Sequence, residues 1–342
     1  MKYHFKSLKQ ILDVFETNEI IGATEISIKL GKSRTIIHKY LKELVKQKKL
    51  KKVGNGPLTK YKIVNTELST NNSLESNNTL NSDFLPDYKT TKTLEDIFYK
   101  FTPEGRILIG FNGLKEWCSE RNLDVEEKVV NYISIYNHIQ SLQDDCGLLK
   151  AKDTFGKHFE KVYLDNVYYA DQYKRMEFGR GKLAEMTFYA KTSQNKELIN
   201  QSINEIILKL ECFIKKEKFD AIAITPWSID RKNQLLQFLK NELKGLQIPF
   251  VNVIKYYANN IAIPQKSLKT REQRIQNARN TIFVDDKNIG KYKKVLLIDD
   301  FVGSGSTLNE TASKLKKEGV NIVYGFAFVG NLNLEYEVIN EV

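Results

Sequence analysis

The second half of the chain alternates short apolar runs with longer stretches in which apolar residues recur at helical spacing. The apolar runs are FDAIAITP, PFVNVIKY, KKVLLIDD and NIVYGFAFVG. Strands that are apolar at nearly every position are typical of a parallel sheet with helices on both faces, because few of their side chains then meet solvent. The pattern predicts an α/β domain over residues 161–342, and ligands of such sheets bind at the carboxyl ends of the strands.

The first 64 residues have a different pattern. Apolar residues at helical spacing predict three helices, within SLKQILDVFE, ATEISIKLG and SRTIIHKYLKELVKQKKL, with Ser7 and Ser33 as caps. In the third helix, Ile37, Leu41 and Leu44 form the expected inward stripe. Two short β-like runs around GNGP follow and predict a hairpin.

Three helices followed by a hairpin resemble the winged helix-turn-helix family, to which residues 1–64 are assigned. The resemblance implies that the third helix lies in the major groove of DNA and that hairpin lysines contact phosphates. A winged helix used for protein contact or dimerisation is the alternative. The residues assigned to nucleic-acid contact are Arg34, Thr35, His38, Lys39 and Lys42 on the helix, and Lys51, Lys52 and Lys60 in the hairpin.

Charge is distributed unevenly along the chain. Residues 1–64 hold fifteen Lys and Arg and five Asp and Glu, a net charge of +10, whereas the whole chain carries +11. The other 278 residues therefore carry only +1. A basic excess confined to one small segment is expected of a nucleic-acid-binding module, although a solubilising surface would have the same composition.

The segments between these two regions offer no chemistry. Residues 65–90 are rich in Asn and Ser and predict a flexible linker, and residues 91–160 predict a mainly helical middle segment that packs on the C-terminal domain or mediates oligomerisation. Cys118, Cys146 and Cys212 are far apart and odd in number, which predicts free thiols in a reducing cytoplasm. No apolar run approaches the roughly 18–20 residues that cross a bilayer, and no secretory signal is expected.

The sharpest motif follows the apolar run VLLI. Asp299 and Asp300 come first, then Phe301 and Val302, and then the small residues GSGST over positions 303–307 before a predicted helix. Small residues let consecutive backbone N–H groups point at one anion, and the helix N-terminus adds partial positive charge. Two adjacent carboxylates can accept hydrogen bonds from neighbouring sugar hydroxyls. The segment therefore predicts a sugar-phosphate site.

This segment resembles the binding motif of the type I phosphoribosyltransferases for 5-phosphoribosyl-1-pyrophosphate (PRPP). The resemblance implies a phosphoribosyltransferase fold, with Asp299 and Asp300 on the ribose hydroxyls. It implies that Mg²⁺ arrives with PRPP and has no direct protein ligand. The residues assigned to PRPP are Asp299, Asp300, Val302, Gly303, Ser304, Gly305, Ser306 and Thr307.

Further segments resemble the competence-associated (ComF-like) members of this family. Residues 169–195 resemble their opening strands, and residues 265–283 carry their spaced Gln265, Arg271, Arg274 and Asn277. The residues implied for a pyrophosphate loop are Ser228, Asp230 and Arg231, and those for a mobile loop that closes over the leaving group are Lys266, Lys269, Arg271 and Arg274.

Gly303 departs from the purine-salvage members, which have an aspartate there as general acid and base, so the catalytic residue is unassigned. Tyr169, Phe178 and Tyr189 are candidates for base contact by location alone. Three functions stay open: a phosphoribosyltransferase with an unknown acceptor, a PRPP-sensing regulator similar to the purine repressor of Gram-positive bacteria, and an effector similar to those of retron-type antiviral defence. A homo-oligomer is expected, because phosphoribosyltransferase-type domains often dimerise.

Overall fold

A computed structural model describes residues 11–12, 14–15, 21–46, 49–53, 59–63, 84–151, 153, 155, 159–258 and 261–332. The chain divides into two compact units, Met1–Asn78 and Thr79–Val342. None of the described helices combines the length and apolar character needed to cross a membrane. Ser7, the GNGP turn, most of the first predicted helix and the predicted linker up to residue 83 lie outside the described residues.

The first unit contains a small sheet and two complete helices. Its elements are β1 (Ile21–Gly22), α1 (Ala23–Leu30), α2 (Arg34–Lys46), β2 (Leu50–Val53) and β3 (Lys60–Ile63). Both β1 and β2 pair with β3 in antiparallel fashion, so that β3 is the central strand. The predicted stripe Ile37, Leu41 and Leu44 is fully buried, together with Ile11 and Ile26, because it is the only continuous apolar face of α2.

The second unit begins with helices and a hairpin. Its first elements are α3 (Tyr88–Ile97), β4 (Tyr99–Phe101), β5 (Ile107–Ile109), α4 (Gly110–Ser119) and α5 (Val125–Ser141). Leu94, Trp117 and Tyr132 pack in one buried cluster between the three helices. A hairpin interrupts the predicted mainly helical segment after Ile97, because a turn that includes Gly105 pairs β4 with β5.

A six-stranded sheet forms the centre of this unit. Its further elements are β6 (Leu149–Lys150), β7 (Asn166–Gln172), α6 (Lys182–Ser193), α7 (Lys196–Glu217), β8 (Ala221–Ile224), α8 (Leu235–Leu243), β9 (Phe250–Val251), β10 (Val253–Lys255), α9 (Arg271–Thr281), β11 (Ile282–Val284), β12 (Lys294–Val302), α10 (Ser306–Lys317) and β13 (Ile322–Gly330). The strand order is β6-β7-β13-β12-β8-β9, and only β6 runs antiparallel to its neighbour.

Both faces of this sheet are buried, which confirms the predicted α/β class with a mostly parallel sheet. On β12, Leu296 and Ile298 pack with α6, α7 and α8, whereas Val295 and Leu297 pack with α10 on the other face. Successive residues of a strand point to opposite faces, so a strand covered on both sides must be apolar throughout.

Two predicted elements need correction. The run PFVNVIKY is two strands in two sheets, because the chain leaves the main sheet at Asn252 and β10 then pairs antiparallel with β11. The segment resembling opening strands is a strand only to Gln172, and its second half is α6.

The segment for which the resemblance implied a mobile loop includes the start of α9. Lys266 and Lys269 precede this helix, and Arg271 and Arg274 lie in its first turn. Thr270 caps α9 with a reciprocal hydrogen-bond pair to Gln273.

The expectation of free thiols is also wrong for two of the three cysteines. Cys146, in the loop after α5, forms a disulfide with Cys212 on α7, and the two residues are 66 positions apart in the chain. Their separation in sequence gave no indication of this pairing, because packing of the loop against α7 brings them together. Cys118 is a buried free thiol.

We expect unfolded but unreduced protein to expose one reactive thiol per chain, and three after reduction. In the chain-entropy model, a crosslink over a loop of this length adds on the order of 4 kcal/mol to the free energy of unfolding. Dithiothreitol should therefore lower the denaturant midpoint of the wild type but not that of a Cys146→Ser/Cys212→Ser variant. Three reactive thiols in the unfolded protein before reduction would contradict the disulfide and agree with the free thiols expected from the sequence.

Candidate functional site

A cavity of about 340 Å³ lies at the carboxyl ends of β8 and β12. Because these strands are neighbours and parallel, the segments that follow them, residues 225–229 and 299–308, come to the same edge of the sheet. The face of α6 and the residues Gln265 and Arg274 complete the walls. The site therefore lies where the α/β pattern predicts a ligand.

The acid pair at the end of β12 lies in this cavity and is held by hydrogen bonds. Thr225 donates from Oγ1 to Asp299 Oδ1 over 2.9 Å, and the backbone N–H of Asp300 donates to the same oxygen over 2.9 Å. Lys191 Nζ on α6 donates to Asp300 Oδ1 over 2.8 Å. Sequence reasoning missed Thr225 and Lys191, which are far from the motif in the chain.

Burial changes the acidity of Asp299. Desolvation of its carboxylate, together with the neighbouring charge of Asp300, raises the pKa of Asp299 to about 7. The ammonium of Lys191 and the hydrogen bond from Thr225 act in the opposite direction but are smaller effects. Asp299 therefore changes its charge close to neutral pH.

The glycine–serine loop, residues 303–307, connects β12 to the N-terminus of α10. Gly305 has φ 75°, a left-handed conformation that favours glycine, and its Cα closely faces the ring of Phe155. The hydroxyls of Ser304 and Ser306 lie 3.0 Å apart. All five residues line the cavity, so the loop presents backbone N–H groups, hydroxyls and a helix N-terminus to one space.

Of the residues implied for a pyrophosphate loop, Ser228 and Arg231 line the cavity, whereas Asp230 is exposed and does not. Ser228 Oγ lies 2.8 Å from Nζ of Lys255, the last residue of β10. Burial lowers the pKa of Lys255 to about 8, and the carboxylate of Asp299 only partly offsets this effect. Lys255 was not found from the sequence, because nothing in its local segment distinguishes it from other lysines.

The residues implied for a mobile loop do not all lie at the cavity. Arg274 lines the cavity with Gln265, whose Nε2 donates to the Arg274 carbonyl over 3.2 Å. Lys269 and Arg271 lie outside the cavity lining, and the side chain of Lys266 lies outside the described part of the chain. On the same helix, Arg279 pairs through Nε and Nη2 with the buried Glu310 of α10, which fixes one end of α9.

Tyr169, Phe178 and Tyr189 are not at the site. Tyr169 is fully buried against Gly330, Phe178 packs on Trp117 with ring centroids 4.9 Å apart, and Tyr189 stacks on Phe101 at 4.2 Å. Proximity in sequence misled the assignment, because strand and helix residues one position apart point in different directions. The aromatic residues that line the cavity are Tyr173, Phe188, Trp227 and Phe301.

In the first unit, the basic residues occupy the exposed side of α2 and the hairpin. This side lies opposite the buried stripe of Ile37, Leu41 and Leu44. The eight residues assigned to nucleic-acid contact are all exposed: Arg34, Thr35, His38, Lys39, Lys42, Lys51, Lys52 and Lys60.

Within the described ranges, no group of three or more His, Cys, Asp or Glu side chains is placed to hold a metal ion. At the acid pair, both carboxylates belong to half-buried residues, and that of Asp300 is paired with Lys191. The donor set suits a cation that brings most of its own oxygen ligands.

Residues 233–338 match the family model of the phosphoribosyl transferase domain. The matched part runs from the start of α8 through the acid pair, the glycine–serine loop and β13. The match begins after Arg231 and does not include α6. The placement of Arg231 and of the α6 face at the cavity therefore rests on the structure alone. The similarity to this family therefore covers the carboxyl-terminal part of the chain. No curated protein shows significant similarity to the chain.

Proposed function

We propose that the second unit binds PRPP and transfers its phosphoribosyl group to an acceptor with release of pyrophosphate. The observation that carries this proposal is the meeting of the acid pair and the glycine–serine loop in one cavity, inside the part that matches the phosphoribosyl transferase domain. A half-buried carboxylate pair beside a loop at a helix N-terminus suits a ligand with sugar hydroxyls at one end and a phosphate at the other.

In this proposal, Asp299 and Asp300 accept hydrogen bonds from the ribose hydroxyls. The backbone N–H groups of residues 303–307 bind the 5-phosphate, assisted by the N-terminus of α10 and by the hydroxyls of Ser304, Ser306 and Thr307. Val302, the last residue of β12, directly precedes this loop and is assigned to PRPP through its main chain. All five residues of the loop line the cavity, which supports this assignment.

The pyrophosphate is assigned to the opposite wall, where Ser228, Arg231 and Arg274 line the cavity and Lys255 supports Ser228. Lys266, Lys269 and Arg271 belong to the same basic segment and are proposed to approach only when PRPP is bound. Mg²⁺ arriving with PRPP would supply positive charge beside Asp299 and Asp300 and would stabilise the leaving group. No carboxylate cluster is needed to hold it.

The reaction breaks the C1–O bond, and the electron pair leaves on pyrophosphate. A lone pair of the acceptor forms the new bond to C1, through a transition state with positive charge on the sugar. Position 303 is glycine, so no side chain there can take a proton from the acceptor. An acceptor with an N–H group must therefore lose its proton to another group, such as a residue elsewhere in the cavity, solvent or pyrophosphate. Catalysis then rests on positioning and charge stabilisation.

Calorimetric titration of the whole chain with PRPP and Mg²⁺, with pyrophosphate assayed in the same samples, tests this function. Binding with release on addition of an acceptor supports a transferase. Binding without release, across candidate bases and nucleic acids, favours the alternative of a PRPP sensor. Absence of binding contradicts the proposal and leaves the fold unaffected.

We expect the affinity for PRPP to rise with pH through about 7 and to fall above about 8. The rise follows from ionisation of Asp299, whose pKa is raised to about 7, because the carboxylate is the better acceptor for ribose hydroxyls. The fall follows from loss of the Lys255 cation, whose pKa is lowered to about 8. Titrations between about pH 5.5 and 9.5 measure both limbs.

Two variants test the rise and the fall of PRPP affinity with pH separately. Asp299→Asn should remove the lower limb, and Lys255→Met should remove the upper one. Ionisation of the PRPP phosphates is common to all three proteins, so the difference between them reports the protein groups. A wild-type profile that both variants reproduce would contradict the assignment of these two residues.

We also propose that the first unit is a winged helix-turn-helix module that binds nucleic acid. The exposed basic side of α2, opposite its buried stripe, supports this proposal, because a helix inserted in a groove must present its cationic side chains outward. The +10 charge of residues 1–64 supports it as well.

Arg34→Ala with Lys39→Ala should weaken binding to duplex DNA and reduce its salt dependence by about two charges. Fluorescence anisotropy of a labelled duplex at several salt concentrations measures both quantities. The matched control is Lys89→Ala with Lys115→Ala in the second unit, which removes the same charge elsewhere. Equal effects of the two pairs, or no effect of the first, would favour a protein-contact role.

A further inference from the structure

The loop after β8 brings a serine hydroxyl into direct contact with a lysine amine at one wall of the cavity. Ser228 Oγ lies 2.8 Å from Lys255 Nζ, within hydrogen-bond distance. Ser228 lines the cavity, whereas Lys255 is the last residue of β10 and does not belong to the lining. The hydroxyl therefore faces a bound ligand, and the amine faces the hydroxyl.

Other hydroxyls of the lining have partners of a different kind. Thr225 donates to the Asp299 carboxylate over 2.9 Å, and the hydroxyls of Ser304 and Ser306 lie 3.0 Å apart. Asp299 is assigned to the ribose, and one serine hydroxyl is not a base for another at neutral pH. Ser228 is instead joined to an amine, which is a base whenever it is neutral.

The surroundings of Lys255 favour its neutral form. Within the described part of the chain it forms no ion pair, whereas Lys191 at the same cavity pairs with Asp300 over 2.8 Å. Burial lowers the pKa of Lys255 to about 8, and the charge of Asp299 opposes this effect only in part. A part of the Lys255 population is therefore unprotonated at neutral pH and can accept a proton.

A third residue orients this pair. The Tyr257 ring centroid lies 5.5 Å from Lys255 Nζ, and the Tyr257 hydroxyl is hydrogen-bonded to Ser228 and donates to the Ile263 carbonyl over 3.0 Å. A nucleophile in contact with a base that a further group holds in place is the arrangement of nucleophilic catalysis, and lysine is one of the bases that serve a serine.

The side chains around Ser228 select an anionic electrophile. Arg231 and Arg274 line the cavity at the wall assigned to pyrophosphate. Guanidinium groups bind phosphoryl oxygens and stabilise the negative charge that develops on them during attack at phosphorus. The electrophile that this wall presents to Ser228 is therefore a phosphorus atom of a phosphoanhydride.

We propose that Ser228 is a nucleophile with Lys255 as its base, and that the pair hydrolyses pyrophosphate bound at this wall. In the first step, Lys255 takes the Ser228 proton and Oγ forms a bond to one phosphorus. The bridging P–O bond breaks, and its electron pair leaves on inorganic phosphate, which then receives the proton from Lys255.

Water completes the reaction in a second step. Neutral Lys255 takes a proton from water, the water oxygen forms a bond to the phosphorus, and Ser228 Oγ leaves and recovers a proton from Lys255. The sum is one pyrophosphate and one water giving two phosphates. The proposal rests on the proposed function, because that function places pyrophosphate at this wall. Hydrolysis there would remove the product and draw transfer forward.

Incubation of the whole chain with Mg²⁺ and inorganic pyrophosphate, without PRPP, tests the proposal. We expect release of phosphate, and we expect acid-quenched samples to carry a phosphoryl group on Ser228, located by mass spectrometry. Ser228→Ala and Lys255→Met should each lower the rate of phosphate release by about 100-fold or more, the scale of the effect when a positioned base is lost.

Two further variants separate the base from the charge. Lys255→Arg keeps a cation but supplies no neutral base, so it should retain PRPP binding and lose phosphate release. Lys209→Met is the matched control. Burial also lowers the pKa of Lys209, but its Nζ donates to the Ala170 carbonyl over 3.1 Å, outside the cavity lining. This control should release phosphate at a rate within about twofold of the wild type.

The rate of phosphate release at saturating Mg²⁺ and pyrophosphate should rise with pH through about 8, because Lys255 is a base only when neutral. The other charged groups at this part of the cavity are Asp299 on β12, Arg231 after β8 and Arg274 on α9. The pKa of Asp299 is about 7, and both arginines stay charged, so a rise centred at about pH 8 reports Lys255.

Absence of phosphate release by the wild type would overturn the proposal, and so would release that persists in Ser228→Ala or the absence of a phosphoryl group on Ser228. If Lys255 served only to hold Ser228 in place, Lys255→Arg would release phosphate as the wild type does. Failure of the transferase function gives a different result, namely absence of PRPP binding in a separate titration, whatever happens to pyrophosphate.

Discussion

Replacing Asp299 and Asp300 together with asparagine should reduce the affinity for PRPP by about 100-fold or more while the fold stays intact. Each hydrogen bond from a hydroxyl to a carboxylate contributes about 1.5–3 kcal/mol, so two such contacts correspond to about 3–6 kcal/mol of binding. Asparagine keeps one oxygen acceptor at each position but loses the charge. Calorimetric titration with PRPP and Mg²⁺ measures the loss.

The fold should tolerate this change. Burial raises the pKa of Asp299, so at pH 8 the ionised carboxylate is less favourable in the folded chain than in the unfolded one. Removing its charge should not lower the unfolding temperature at that pH. Loss of the Asp300 charge leaves Lys191 with a neutral partner, and the partial exposure of Lys191 limits the cost. Circular dichroism during heating measures both effects.

A second acid pair provides the matched control. Asp285 and Asp286 lie outside the cavity lining, in the turn after β11, where they accept hydrogen bonds from Asn252 and Asn288. Asp285→Asn with Asp286→Asn changes the net charge by the same amount and should leave PRPP affinity within about twofold of the wild type. Unchanged affinity in the Asp299 and Asp300 variant would remove the ribose assignment from the proposal.

Gly305→Ala should weaken PRPP binding by about tenfold or more and destabilise the unit by about 2–6 kcal/mol. A non-glycine residue in the left-handed region costs about 1–3 kcal/mol, and overpacking adds about 1–3 kcal/mol. Both apply here, because Gly305 has φ 75° and an added Cβ would come within 2.6 Å of the Phe155 ring. Relief requires a shift of the loop that presents N–H groups to the phosphate.

Gly303→Ala is the comparison within the same loop. The Cβ added there would meet the ring edge of Phe301 at 3.2 Å, a close contact that a small rotation of the ring relieves. We therefore expect a loss of stability below about 1.5 kcal/mol and a smaller loss of affinity than for Gly305→Ala. Urea unfolding and PRPP titration of the two variants give the comparison. Equal losses of stability and affinity in the two variants would contradict the argument that the loop depends on the left-handed conformation of Gly305.

The fold class and the principal motif could be predicted from local sequence. Apolar strands of β8, β12 and β13 are visible as continuous runs, because a strand buried on both faces has no polar positions. The acid pair and the residues 303–307 follow one strand directly, so their proximity needs no knowledge of the rest of the chain. The stripe of Ile37, Leu41 and Leu44 was equally clear, because helical periodicity is a local property.

The other walls of the cavity depended on tertiary structure. Lys191 reaches the site because α6 packs on the main sheet, and Tyr173 reaches it from the segment that follows β7; neither segment contains a motif. The pairing of Cys146 with Cys212 and the division of PFVNVIKY between two sheets likewise depend on contacts between distant segments.

The sequence by itself determined the α/β class, the mostly parallel sheet and the position of the acid pair with its glycine–serine loop, because each follows from periodicity or from adjacent residues. Only the tertiary structure decided which lysine meets Asp300, which aromatic rings line the cavity and which cysteines are joined. Those choices are made by packing between residues far apart in the chain, and local pattern carries no information about such contacts.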